Sequence, residues 1–153
     1  DLHRLEEGRP LIIGGVTIPH EKGSVAHSDG DVLAHAITDA LLGALSLGNI
    51  GQLFPDTDPQ WKGADSLILL AKVYRLIQDK GFVLVNVDSV LVAQRPKLNP
   101  YIAAIQERLA ETLEIAPGQV SVKPKTKELV GPEGLEQAIS AQAIVLLQAV
   151  TPL

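Results

Sequence analysis

The sequence contains no cysteine, which excludes disulfide bridges and thiolate metal sites alike. That absence fits a reducing compartment. Aromatic residues are scarce: one Trp, two Tyr and two Phe. The core must therefore be built from Leu, Ile, Val and Ala. No run of about 18 apolar residues occurs, so no transmembrane helix is expected. No basic, apolar leader is visible either. Positive charge does not predominate, and a net charge of −5 argues against general nucleic-acid binding. The chain begins with Asp rather than Met, so sequence N-terminal to Asp1 is expected. What is present is 153 residues with 46% hydrophobic content, enough for one domain over 1–153 with a sizeable core.

The pattern along the chain predicts an α+β layer fold in the order βααβαββ or similar. Leu11 to Pro19 reads as a hairpin turning at Gly14-Gly15. Gly23 to Gly30 reads as loop, Asp31 to Leu47 as a helix stopped by Gly48. Asn49 to Gly63 is a long loop, of a length that is usually functional in a compact domain. Asp65 to Lys80 is a second helix with Leu67, Leu70, Ala71, Tyr74 and Ile77 on one stripe. Phe82 to Gln94 is a strand. Asn99 as N-cap and Pro100 at the first helical position open a third helix to about Ile115. Val120 to Lys125 and Ala138 to Ala149 are the last strands. The Phe82–Gln94 strand carries Val83, Val85, Val87, Leu91 and Ala93 on one side, and Phe82, Leu84, Val90 and Val92 on the other. Both faces of the mixed sheet are thus expected to be covered, one by helices and the other by a partner subunit of a homo-oligomer.

Chemistry-bearing residues concentrate in two distant segments. Asp1 and His3 are two apart, so an extended strand points both to one face. His27-Ser28-Asp29-Gly30-Asp31 precedes His35, which lies on a predicted helix. One Asp and two His from separate elements make the ligand set of a catalytic zinc site with an open position. Asp31 and His35, like His35 and Asp39, are i,i+4, and Asp31 or Asp39 could accept the other ring N–H of a metal-bound His35. Asp29 and Asp31 could equally serve as helix caps. His20, with no acidic partner beyond Glu21, reads as surface. Free amides at the helix start, with His27 and Ser28, suit a phosphate. Lys123, Lys125 and Lys127 surround Thr126 and Glu128. Glu128 reads either as an ion-pair partner or as the single protein ligand of a Mg²⁺ bound to phosphate oxygens. The Arg95–Lys97 and Lys123–Lys127 clusters alone would read as solvated faces. Together these pieces suggest a diphosphate substrate held by two metals and a few cations, as phosphoryl transfer requires.

These residues resemble the 2-C-methyl-D-erythritol 2,4-cyclodiphosphate synthase family of the non-mevalonate route to isoprenoids. The resemblance is carried by Asp1-Leu2-His3, Ile12-Ile13-Gly14-Gly15, AHSDGD over 26–31, the helix from His35 to Gly43, LFPDTDP over 53–59, QRPK over 94–97 and KTKE over 125–128. It runs nearly end to end. The resemblance implies a metal-dependent phosphorus–oxygen lyase that cyclises a CDP-methylerythritol phosphate and releases CMP. It implies Asp1, His3 and His35 as Zn²⁺ ligands and Glu128 as the ligand of a Mg²⁺ or Mn²⁺ between the α- and β-phosphates. His27 and Ser28 would hold phosphate, Asp56 the methylerythritol hydroxyls, and Thr126 the phosphates, with His27, Thr126 and Glu128 as the catalytic set. Ala93, Lys97 and Leu98 would form the cytosine pocket, and Asn49 and Gly51 would meet the ribose. The family fold is a homotrimer with active sites between subunits. A cytoplasmic location is implied, or the plastid stroma for a plant or alga.

Several positions depart from the family pattern. Members usually begin a few residues earlier, so the strand bearing the Asp-x-His pair is expected to start before Asp1. Asn49 replaces the commoner Asp and meets ribose as a neutral group. Lys125 and Lys127 add charge beside Thr126, and Leu135 stands where some members have Arg. Two other functions compete. A metal-dependent phosphodiesterase would give linear phosphates. A metal-stabilised binding trimer would need a closed four-ligand site, for which the sequence offers no cysteine.

Overall fold

The computed structural model describes residues 1–150. Seven strands and five helices form a mixed α+β domain: β1 (Leu2–Glu7), β2 (Leu11–Ile13), β3 (Val16–Ile18), β4 (Lys22–Ser24), α1 (Val32–Ala44), α2 (Ile50–Leu53), α3 (Ser66–Asp79), β5 (Phe82–Val92), α4 (Ile102–Leu113), β6 (Val120–Lys125), α5 (Gly131–Gly134) and β7 (Ala138–Ala149). Five strands make one sheet in the order β4-β1-β7-β5-β6. Among the described residues only β5 and β6 run parallel; the other neighbours in this sheet are antiparallel. The parallel pair needs a crossover, and α4 supplies it.

Helices α1, α3 and α4 pack on one face of this sheet. Their buried stripes of Leu33, Ile37, Leu41, Leu70, Ile77, Ile105 and Leu109 meet Val87, Leu91, Val120, Val122 and Ala141. The core is aliphatic, as the shortage of aromatics requires. On α3 the expected Leu67, Leu70, Tyr74 and Ile77 are buried, joined by Leu69 and Val73, whereas Ala71 is exposed.

The hairpin β2–β3 turns at Gly14 and Gly15 with φ of 56° and 76°. Two positive φ values in succession mark a type I′ turn, which suits glycine. Space also excludes other residues: a Cβ on Gly14 would lie 2.5 Å from Ile105 Cγ2, and one on Gly15 would lie 2.2 Å from Leu67 Cδ1.

Three expectations require correction. The loop expected from Gly23 contains the end of β4, which pairs with β1. The long loop from Asn49 to Gly63 holds α2 and a 3₁₀ turn at Pro59–Trp61. Asn99 does not cap its helix by a side-chain bond; a 3₁₀ turn at Asn99–Tyr101 leads into α4.

The two-faced reading of β5 also changes. A register shift between Leu84 and Asn86 breaks the alternation. Leu84 therefore shares the helix-covered side with Val87 and Leu91, instead of facing away from them. A bulge adds one residue and resets the period of 2. The opposite face carries Val90, Val92 and, from β7, Ile144 and Leu146, interspersed with Asn86, Asp88 and Gln142. Ile144 is 70% exposed and Leu146 58%.

Candidate active site

Strand β1 and helix α1 meet at one end of the sheet, and their polar residues converge there. Asp1 and His3 do lie on one side of the strand. His3 Nε2 is 2.9 Å from Asp1 Oδ2, and His35 Nδ1, from the first turn of α1, lies 3.2 Å from the same oxygen. The two rings approach at 3.1 Å between His3 Nε2 and His35 Nδ1. Donor atoms of these three residues all lie within 4.8 Å of one another.

The chemistry of this triad favours a cation. Bonds of about 2.0–2.1 Å in a tetrahedral zinc site place neighbouring ligand atoms about 3.3 Å apart, close to the spacing found. Burial, reinforced by the neighbouring His35, lowers the pKa of His3 to about 4. Burial lowers that of His35 as well. Neutral imidazoles beside a carboxylate are the protonation states a divalent cation needs. Two imidazoles and a carboxylate are a donor set that suits zinc.

The shift of His3 carries a pH consequence for the metal-free protein. Between pH 6.5 and about 4 the unfolded chain holds a proton on His3 that the folded chain does not. Stability therefore falls as pH drops through that window and levels off below it. Urea midpoints of chelator-treated protein are expected to decrease from pH 7 to pH 5, and His3→Gln is expected to flatten the decrease. Equal slopes in both proteins would remove His3 as the cause.

Of the two parts open to Asp31, helix cap and acceptor for the His35 ring, the structure shows the cap. Asp31 is fully buried and caps α1 through the Ala34 amide, while it also accepts from the Gly14 and Gly15 amides at 2.9 and 2.7 Å. It thus pins the β2–β3 turn to the helix start. Burial pushes its carboxyl pKa up, and the three amides oppose that shift. Asp39 accepts from the Ile50 amide. Neither receives the His35 ring. The His35 Nε2 partner is Ser66, at 2.7 Å, with the Ser28 hydroxyl at 3.1 Å. Sequence reasoning missed Ser66. Its only signal is a small hydroxyl residue at the start of α3, directly after the Asp65 that caps that helix.

A cavity of about 440 Å³ opens over the triad. Asp1, His3, His27, Ser28, His35, Gly51, Asp56 and the aromatic rings of Phe54 and Trp61 line it. The two rings meet edge to face at 4.9 Å, and Lys72 Nζ lies 5.4 Å from the Trp61 centroid. His27 is held by Nε2 against the Asp58 carbonyl at 3.0 Å. Four expected site residues outside the triad therefore do gather around it: His27, Ser28, Gly51 and Asp56.

The other expected residues lie elsewhere. Asn49 caps α2, accepting from the Gln52 amide in a capping box, so its side chain is engaged locally. Lys97, Leu98 and Thr126 line a separate cavity of about 250 Å³ with Lys125. Ala93, whose amide donates to the Lys125 carbonyl, ties the end of β5 beside it. Glu128 is exposed with φ of 51°. Among the described residues it makes no ion pair, whereas Lys123 pairs with Asp88. Arg95 pairs with Glu21 and Glu136. His20 is not a surface residue: 4% of its side chain is exposed, 3.6 Å from Glu21.

Residues 1–148 match the model of the YgbB family. A 2-C-methyl-D-erythritol 2,4-cyclodiphosphate synthase of Synechococcus elongatus is 60% identical over 96% of this chain and 92% of its own length. Among solved structures, the bifunctional IspDF from Campylobacter jejuni superposes with a TM-score of 0.94 at 43% identity, over 97% of this chain. The match spans 40% of that longer protein. A Plasmodium falciparum IspF in complex with CDP superposes with a TM-score of 0.86 at 36% identity, over 99% of this chain and 93% of that one.

Proposed function

The chain belongs to the YgbB family, whose members include 2-C-methyl-D-erythritol 2,4-cyclodiphosphate synthases of the isoprenoid pathway; from that premise we propose that it cyclises 4-diphosphocytidyl-2-C-methyl-D-erythritol 2-phosphate. The products are 2-C-methyl-D-erythritol 2,4-cyclodiphosphate and CMP. An oxygen of the 2-phosphate forms a bond to the β-phosphorus, and the bond from that phosphorus to the bridging oxygen of CMP breaks. The observation that carries this reading is the convergence of the Asp1, His3 and His35 donors at a cavity that also holds His27, Ser28 and Asp56.

Asp1, His3 and His35 would hold zinc, and Glu128 would hold Mg²⁺ or Mn²⁺. Such cations supply charge neutralisation and a template for the diphosphate. The remaining work belongs to the chain. His27 and Ser28 hold phosphate oxygens at the cavity wall. Asp56 accepts from the methylerythritol hydroxyls and so sets the angle at which the 2-phosphate approaches. Phe54 and Trp61 cover the apolar side of the cavity and limit water, which keeps hydrolysis from competing. Thr126 donates to the phosphates. Main-chain groups of Ala93 and Leu98, with the Lys97 side chain, bind cytosine, and Gly51 meets the ribose with Asn49. Because Asn49 already caps α2, it contributes to ribose binding mainly by placing Gly51.

The triad and the Lys97–Thr126 cavity are separate within one chain. A homotrimer with its active sites between subunits would bring one chain's triad to the next chain's nucleotide pocket. The exposed Ile144 and Leu146 on the uncovered sheet face support that assembly.

Phosphorus NMR of the protein with the CDP-linked substrate and Mg²⁺ tests the proposal. The expected result is CMP together with two coupled cyclic diphosphate signals, both lost on zinc chelation. Linear monophosphates would assign a hydrolase instead. For the second cation, Glu128→Gln is expected to raise the Mg²⁺ concentration for half-maximal rate by about 10-fold or more. An unchanged Mg²⁺ titration would remove Glu128 as a ligand.

A further inference from the structure

The Ser66 hydroxyl lies between His35 and a carboxylate that the metal reading does not use. Its Oγ is 2.7 Å from His35 Nε2 and 2.5 Å from Asp29 Oδ1. The Ser66 amide also donates to Asp29 Oδ2, at 3.1 Å. Asp29 is not the cap of α3, because Asp65 fills that place by accepting from the Leu67 amide. Asp29 instead grips the first residue of the helix by both its amide and its hydroxyl. Ser66 is 0% exposed, so water cannot take over either contact.

One hydroxyl has one proton. Asp29 accepts from the Ser66 amide, the Ser66 hydroxyl and, at 3.2 Å, the Asp31 amide. The Ser66 proton is therefore committed to Asp29. Ser66 Oγ can then only accept from His35, which places the imidazole proton on Nε2. Ser28 Oγ, which accepts from the Gly30 amide, can accept from the same N–H. The remaining ring nitrogen, Nδ1, faces Asp1 Oδ2 at 3.2 Å with a lone pair. Two acceptors in contact repel unless a cation, or a proton on the nearby His3 Nε2, lies between them; a metal that takes His3 Nε2 as a ligand displaces that proton.

We propose that Asp29 and Ser66 form a positioning relay that holds His35 in the tautomer whose Nδ1 lone pair points at the metal. The relay rests on the metal reading of Asp1, His3 and His35, and adds to it the reason that His35 ligates through one nitrogen and not the other. Removing Ser66 leaves only the longer Ser28 contact to hold the Nε2 proton, and reversing the polarity at Ser66 opposes that proton, so it shifts toward Nδ1, where it blocks ligation.

Three variants of the full chain test this: Ser66→Ala, Asp29→Asn and the pair combined. In Asp29→Asn, the amide nitrogen can donate to Ser66, which frees the hydroxyl proton to donate to His35 Nε2. Zinc affinity, measured by competition with a chromogenic chelator, is expected to fall about 10–100-fold in each single variant. The double variant is expected to lose no more than the weaker-binding single one, because both act through one proton. Nitrogen-15 NMR of metal-free, histidine-labelled protein is expected to show Nε2–H at His35 in the unaltered chain and a shift toward Nδ1–H in the variants. A purely structural role would not move the tautomer. Unaltered protein that binds zinc, with variants that bind it equally well, would overturn the relay alone, as would losses that multiply in the double variant. Unaltered protein that binds no zinc would overturn the metal reading and the relay with it. Asp29→Asn carries the test if Ser66→Ala does not fold.

Discussion

Replacing His35 with Ala is expected to abolish both zinc binding and cyclisation. The triad then has two donors, Asp1 Oδ2 and His3 Nε2, and two are too few for a site of this kind. The turnover number should fall by at least 10²–10³-fold, on the order of what losing one main source of charge stabilisation costs. His35 is 9% exposed, so its truncation also leaves a hole beside Ser66. His35→Gln, which fills more of that space, controls for packing. Both variants should elute at the same size as the unaltered protein, and metal analysis should find both depleted of zinc. Full turnover in a zinc-free variant would remove the triad from the reaction.

The second large effect concerns stability. Asp31→Ala is expected to cost about 3–5 kcal/mol, a large part of the 5–15 kcal/mol typical of a domain. Three backbone amides lose their acceptor at once: Gly14, Gly15 and Ala34. The Gly14 and Ala34 contacts lie in the buried interior, where an unpaired amide cannot turn to water. The helix loses its N-cap as well. Asp31→Asn should fall between, because its amide can accept for Gly14 and Ala34 but presents N–H against the Gly15 amide. Urea unfolding of the three proteins measures the order. A loss below about 1 kcal/mol in Asp31→Ala would show that the turn and the helix start are held by other contacts.

The two predictions separate residues that the sequence places side by side. Asp31 and His35 are i,i+4, and on that spacing Asp31 was a candidate acceptor for the ring. Spacing along a helix says which residues share a face; it does not say what else reaches that face. Here the β2–β3 turn arrives with two free amides and takes the whole carboxylate. The His35 ring meets Ser66, 31 residues later, whose closeness no local pattern encodes. Ser66 is ordinary in sequence because its role depends on where α3 begins against the loop that carries Asp29.

Much of the architecture was legible because it rests on local physics. The Gly48 stop marked the end of α1, an apolar stripe marked α3, and Pro100 marked the approach to α4. Gly14-Gly15 marked the hairpin turn, and the long apolar segments at Phe82 and Ala138 marked the central strands. Short elements were not legible. β4 has three residues and α2 four, and both exist through pairing and capping contacts. The bulge near Val85 was likewise invisible, since one added residue leaves composition unchanged while it turns the following side chains over.

For the site, the ligand types were set by the chain itself: without cysteine, a metal centre must use His and carboxylate, and the Asp1-x-His3 pair with His35 was a candidate set. Family membership was equally written in the sequence, through segments such as AHSDGD and LFPDTDP. Tertiary structure decided which donor atoms meet, that His35 presents Nδ1, that Asp31 serves the fold, and that Lys97 and Thr126 lie in a different cavity from the triad. These outcomes depend on distances between residues far apart in the chain. Such distances follow from how the sheet and helices pack together.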